Sequence, residues 1–355
     1  MNPLSRLSGR SRVLLGAMAL GGMMTLPGCG GGSSGIPDPT ATPAPTTTGT
    51  SIPTTPPVTG TGLLVFAMAP DGATDAAQTD IFSVSPNGTN LRRLTTSSLD
   101  ASGNVQPNGS PALSPNRGQI VYVAISTTGD QSQSQLRMMN ADGSNNRVFT
   151  NIFGATSPTW SSDGGRIAFS KGNDGIYIIN ADGTNLRQLT NSGANPSWSI
   201  GNRIAFNAAP GVQVVNGGAL GKSKTRGVLP PGTSAYTDIY TVGADGSGLR
   251  QITQRGQTNT GLASINPAWS PDGNTLAFNS LPGSGVPAQL YLVNADGSNR
   301  RALGTLTGTD AVWSPNGNLI AYSSEAGLYT ANTSGGNATP VDAGDGLFAE
   351  DTDWR

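Results

Sequence analysis

The sequence predicts an all-β chain, a six-bladed β-propeller of four-stranded antiparallel blades. Three observations carry that expectation. A four-strand unit runs from Pro158-Thr-Trp-Ser-Ser-Asp-Gly-Gly-Arg-Ile-Ala-Phe169 through Gly175-Ile-Tyr-Ile-Ile-Asn-Ala-Asp-Gly-Thr-Asn-Leu-Arg-Gln-Leu-Thr190. The unit recurs with a period of about 40 residues, the spacing of propeller blades. The chain also ends on Asp351-Thr-Asp-Trp-Arg355, which supplies the one strand that the first repeat lacks.

Within the unit each strand has its own cause. The segment around Trp160 precedes a Ser-Asp-Gly turn, and 166–170 alternates into Ile167 and Phe169. Ile176–Asn180 is a β-branched and aromatic run, and 186–190 follows the Asp182-Gly183 turn. Asp-Gly between apolar runs is a hairpin signal because such turns need positive φ, which Gly adopts freely and Asp tolerates. The third-to-fourth-strand turn recurs at Asn87-Gly88, Asp142-Gly143, Asp182-Gly183, Asp245-Gly246, Asp296-Gly297 and Gly335-Gly336. Counting by it gives six blades: 63–95 with 351–355, 111–150, 158–190, 196–253, 267–303 and 311–341.

The succession Pro-x-Trp-Ser-Pro-Asp-Gly, Ile-Ala-Phe, Ile-Tyr, Asp-Gly-Ser and Leu-Thr resembles the WD-repeat-like blade of TolB-type propellers, over residues 63–355. The resemblance implies a binding scaffold, since propellers of this type serve as such and also as appendages of peptidases. A small α/β domain precedes the TolB propeller, and no such pattern lies before Leu63 here.

From the start of the chain, residues 1–28 read as a lipoprotein signal peptide. Arg6, Arg10 and Arg12 precede an apolar run from Val13 to Gly28, too short to span a bilayer comfortably. Leu26-Pro27-Gly28 leads into Cys29, the chain's single cysteine; a lone cysteine cannot staple a fold, and lipidation explains it better than a disulfide. Residues 29–62 are a Pro-, Thr-, Gly- and Ser-rich tether, reaching up to roughly 100 Å at about 3.1 Å per residue if fully extended. Loss of the three signal arginines from 20 basic side chains leaves 17 against 21 acidic ones. That balance argues against a nucleic-acid partner, which needs a basic face for phosphates. The expected location is the bacterial envelope, lipid-anchored, periplasmic or surface-exposed, the outer membrane rather than the inner, with a monomeric propeller.

The composition narrows the chemistry. The absence of histidine removes Ser-His-Asp and Cys-His catalysis and His-ligated zinc. Glu325 and Glu350 are the only glutamates, and Asp142, Asp163, Asp182, Asp245, Asp272 and Asp296 occupy turns. The Asn-Ala-Asp-Gly segments at 140–145, 180–185 and 294–299 lack the alternate ligands and closing Glu of an EF-hand loop. No catalytic residue, metal site or cofactor is therefore assigned. Arg92, Arg147, Arg187, Arg250 and Arg301 fall at outer strands, where charge deters pairing with other chains. The tryptophans read as packing between blades.

The expected function is a non-catalytic scaffold binding an envelope protein or glycan. The alternatives are a saccharide-acting hydrolase or lyase using channel-mouth carboxylates, or a purely structural envelope component. Loop lengths vary on the face of the second-to-third-strand loops and blade connections, which includes an insertion at roughly 208–237 carrying Lys222, Lys224 and Arg226. Binding residues concentrate on such loops. Three residues before each inner-strand Trp, or Leu113 in its place, stand Ser110, Ser157, Asn195, Asn266, Asp310 and Asp351. These six are expected to ring the channel mouth. There the adjacent carboxylates of Asp310 and Asp351 would meet a partner's Lys or Arg, or a hydrated cation. Local turn formation and backbone capping explain the same residue types.

Overall fold

The computed structural model describes residues 62–70, 78–99, 105–128, 131–215, 237–254, 263–281, 286–324, 327–336, 338–341 and 349–355. Cys29, the tether and the Lys222, Lys224 and Arg226 segment lie outside the described residues. Six four-stranded antiparallel sheets follow one another in the order inner, second, third, outer strand. Blade 2 is Asn108–Leu113, Gln119–Thr128, Gln131–Asn140 and Arg147–Phe153, and blade 3 is Ala155–Trp160, Arg166–Lys171, Ile176–Asn180 and Arg187–Gln188. Blade 4 comprises Ala194–Trp198, Arg203–Ala208, Asp238–Gly243 and Arg250–Gln251. Blade 5 comprises Ala263–Trp269, Thr275–Leu281, Gln289–Asn294 and Arg301–Thr307, and blade 6 Thr309–Trp313, Leu319–Ser324, Gly327–Asn332 and Thr339–Pro340. In blade 1 the final strand, Ala349–Trp354, pairs as the inner strand with Leu64–Met68, followed by Asp80–Val84 and Arg92–Arg93. The ring is thus closed by pairing the chain's last strand with the propeller's first, which completes blade 1. Leu63 N donates to Arg355 O at 2.7 Å and Arg355 N to Leu63 O at 3.1 Å.

The core lies between blades. In five blades an aromatic of the second strand stacks on its directly opposed partner in the third: Phe66 on Phe82, Phe169 on Tyr177, Phe206 on Tyr240, Phe278 on Tyr291 and Tyr322 on Tyr329. The inner-strand tryptophans are buried and bridge blades as expected. Trp160 Nε1 donates to Ala112 O of blade 2 at 3.0 Å, and Trp313 Nε1 to Ala268 O of blade 5 at 3.1 Å. The outer-strand arginines do more than blunt an edge. Arg187 donates to Ala244 O, Arg250 to Asp296 O at 2.6 Å and Arg301 to Thr333 O at 3.0 Å, each reaching the third-to-fourth-strand turn of the next blade.

The insertion after Ala208 starts along the outer side of blade 3, away from the channel. Thr190 and Val214 form a β-bridge, Val215 N donates to Leu189 O at 2.9 Å, and Val214 comes against Gly246 in a turn of blade 4. Its described residues therefore descend the wall of the disk toward the short-turn face.

Candidate functional site

Every inner strand carries a β-bulge at the same place. Two of its residues oppose one aromatic of the second strand: Ser110-Pro111 opposite Tyr122, Ser157-Pro158 opposite Phe169, Asn195-Pro196 opposite Phe206, Asn266-Pro267 opposite Phe278, Asp310-Ala311 opposite Tyr322 and Asp351-Thr352 opposite Phe66. The first residue of each pair has φ between 47° and 54°. Asn and Asp tolerate that left-handed region better than most residues. In four blades the second residue is Pro, whose missing N–H suits a position that leaves the ladder.

The six bulge residues predicted from sequence converge on the channel axis, and all are 3 or 4 % exposed. Ser157 Oγ donates to Asn195 Oδ1 (2.9 Å), Asn195 Nδ2 to Asn266 Oδ1 (2.6 Å) and Asn266 Nδ2 to Asp310 Oδ1 (2.9 Å). From the other side Ser110 Oγ donates to Asp351 Oδ2 (2.8 Å), and Asp351 N to Asp310 Oδ2 (3.3 Å). The side-chain donors thus run round the ring from both serines toward the two carboxylates.

The bulge turns a backbone N–H out of the ladder, and the preceding blade caps it. Ser170 Oγ accepts Asn195 N at 3.0 Å, and Asn207 Oδ1 accepts Asn266 N at 3.4 Å. The equivalent of Ser170 and Asn207 in blade 1 is Ala67, which has no acceptor to offer. There Asp351 Oδ2 itself caps Ser110 N at 3.0 Å. Part of the ring's chemistry is therefore backbone capping, as the alternative reading of these residue types holds.

The ring is the floor of a cavity of about 290 Å³. Asn266 and Asp310 lie at its base, the walls are the inner strands, and Pro115, Ile200, Pro271 and Pro315 of the first-to-second-strand turns form the rim. The accessible funnel thus opens on the face of the short, uniform turns, opposite the long-loop face on which loop variability places binding. Arg117 and Arg355 also line it; Asp353, whose Oδ2 accepts Leu113 N at 2.8 Å, lies 3.7 Å from Arg355 Nε. Ile200 is 65 % exposed, an apolar side chain where three other blades carry Pro.

The turn aspartates are engaged as expected. Asp163 Oδ1 accepts Ser161 Oγ and Gly165 N, and Asp142, Asp182 and Asp296 each accept a hydroxyl and an N–H from the residue two positions on. The hydroxyl bond first, then the backbone N–H, holds these carboxyls and that of Asp272 below the usual carboxylate range; for Asp245 the backbone bond leads.

No family model matches the chain. A dipeptidyl-peptidase 5 from Porphyromonas endodontalis is 39% identical over a match 88 residues long that covers 23% of this chain and only 13% of that protein. Among solved structures, TolB from Acinetobacter baumannii superposes with a TM-score of 0.60 at 18% identity, covering 82% of this chain and 66% of that one. A putative TolB from Agrobacterium tumefaciens gives 0.53 at 15% identity, covering 83% and 98%. The chain shares the TolB propeller fold. At these identities the likeness is one of fold, and hydrazine synthase from Kuenenia stuttgartiensis matches as well, with a TM-score of 0.60 over 82% of this chain and 46% of that one. The TolB-like fold is suited to a binding scaffold; activity and partner have to be argued from the site.

Proposed function

We propose that the chain is a lipid-anchored envelope protein whose propeller is a non-catalytic scaffold, receiving a segment of a protein partner in the central funnel. The observation that carries this reading is the funnel itself. It is an open cavity at the small end of the range for ligand sites, walled by residues of rigid strands and floored by polar groups. Such walls lose little entropy on binding, and Asn266 and Asp310 give the base of the funnel a polar character suited to a basic or amide side chain at the tip of the segment. Protein is favoured over glycan because Trp198, Trp269 and Trp313, which line the funnel, are at most 8 % exposed and offer no ring face for a sugar to stack on. The chain enters the propeller at Leu63, on the funnel side, so the funnel faces the anchor, and the tether sets how far from the membrane a partner is met.

The test is a photo-crosslinking amino acid placed at Ile200 of the full chain in its host, with mass spectrometry of what is captured. One envelope protein is expected at Ile200 and not from a probe at Val148 on the outer wall of blade 2. Ile200→Glu, at an exposed turn, is expected to weaken capture at least tenfold with no loss of stability. Equal capture from both probes, or capture unaffected by Ile200→Glu, overturns the assignment of the funnel.

A further inference from the structure

The polar groups around the ring are not evenly satisfied. Buried side-chain oxygens without a hydrogen-bond partner, among the described residues, are Asn279 Oδ1, Ser280 Oγ, Ser323 Oγ, Asp351 Oδ1 and Thr352 Oγ1. All belong to blades 5, 6 and 1, the sector that holds Asp310 and Asp351. Blade equivalence locates two of them. Asn279 and Ser323 occupy, in blades 5 and 6, the position that Ser170 and Asn207 occupy in blades 3 and 4, immediately behind the ring. In blades 3 and 4 that oxygen accepts the N–H of the next bulge; Asn279 Oδ1 and Ser323 Oγ have no such bond. Asp351 is 3 % exposed, and with Oδ2 committed to Ser110 its Oδ1 is left over. A buried carboxylate oxygen with no donor is costly, and a second carboxylate on the neighbouring strand raises that cost.

We propose that this sector binds one divalent cation of the calcium class, held by the carboxylates of Asp351 and Asp310 and by the neutral oxygens beside them. Two carboxylates match a double positive charge, and the candidate donors are all oxygen, as hard cations require. The irregular array of carboxylate, amide and hydroxyl oxygens suits calcium, which accepts variable geometry, better than magnesium, which demands a near-ideal octahedron and keeps its water. The site joins the inner strand of blade 6 to that of blade 1. Its occupant therefore ties the strand that completes blade 1 to the inner strand of the blade before it.

The experiment uses the full chain, treated with chelator and titrated with calcium chloride. Calorimetry is expected to show one equivalent bound per chain, and the Tm to rise by several degrees with the logarithm of calcium concentration. Magnesium at equal ionic strength should give a smaller rise. Asp351→Asn and Asp310→Asn keep the side-chain volume and should each abolish the calcium response. Absence of saturable heat together with an unchanged Tm overturns the proposal, as does an equal effect of magnesium or a calcium response that survives in both variants. Should Asp351→Asn fail to fold, the Asp310→Asn variant and the stoichiometry of the wild type still decide it. A pair satisfied by one shared proton gives a Tm that follows pH and ignores calcium, which also overturns it.

Discussion

At the scale of single residues, the bulge position asks two things at once of its side chain: tolerance of positive φ and a polar group aimed at its neighbours. Asn266 meets both, accepting Asn195 Nδ2 and donating to Asp310 Oδ1. Asn266→Ala should cost about 1–2 kcal/mol for an alanine forced into the left-handed region, and about 1–3 kcal/mol more for the partners left unpaired. Asn266→Gly loses the same hydrogen bonds without the conformational term, and should be the more stable variant by about 1 kcal/mol. Urea unfolding checks the order; alanine equal to or better than glycine would show that the backbone there is unstrained. Sequence spacing identified all six ring residues because they keep a fixed offset from the Trp. It missed that they are buried, linked and left-handed. The available sign was Pro111, Pro158, Pro196 and Pro267 inside what otherwise reads as a strand, a residue that a regular ladder excludes and a bulge admits.

Among elements, the turns of the short-loop face are the most repetitive, and their aspartates give the molecule a defined acid limit. Asp142, Asp163, Asp182, Asp245, Asp272 and Asp296 ionise more readily in the fold than in the unfolded chain. A depressed carboxyl contributes its stability in full above its unfolded value, near pH 4, and loses it as pH falls through the lower folded value. The urea midpoint should therefore fall most steeply below about pH 4, and Asp163→Asn should make that fall shallower; a steepest loss above pH 5 would assign acid sensitivity elsewhere. These turns were readable in the sequence because Asp-Gly and Asn-Gly act locally. The course of the insertion was not. Its loop length suggested the long-loop face, but Val212 and Val214 are apolar and pack against the outer side of blades 3 and 4, a tertiary preference that connection length does not encode.

For the whole molecule, closure rests on one short strand. Trp354 is buried among Phe66, Phe82, Leu328 and Val341, residues of blades 1 and 6. Trp354→Ala should cost about 3–5 kcal/mol, and calorimetry should show a lower Tm for the entire propeller and not a separate transition. A second, independent transition would mean that blade 1 folds apart from the rest. The chain's own pattern made this closure legible, since a repeat missing its first strand and an orphan strand at the far end fit one another.

That the chain is held at Leu63 against Arg355 also has a mechanical meaning. Gly62 lies so close that a Cβ there would come within 2.5 Å of Arg355 O and 2.8 Å of Trp354 Nε1. A pull along the segment before Gly62 is delivered first to the paired N–H and C=O groups of Leu63 and Arg355, and then, bond by bond, to the ladder between Leu64–Met68 and Ala349–Trp354. Whatever the N-terminal segment is fastened to, the load path of this propeller begins at its clasp.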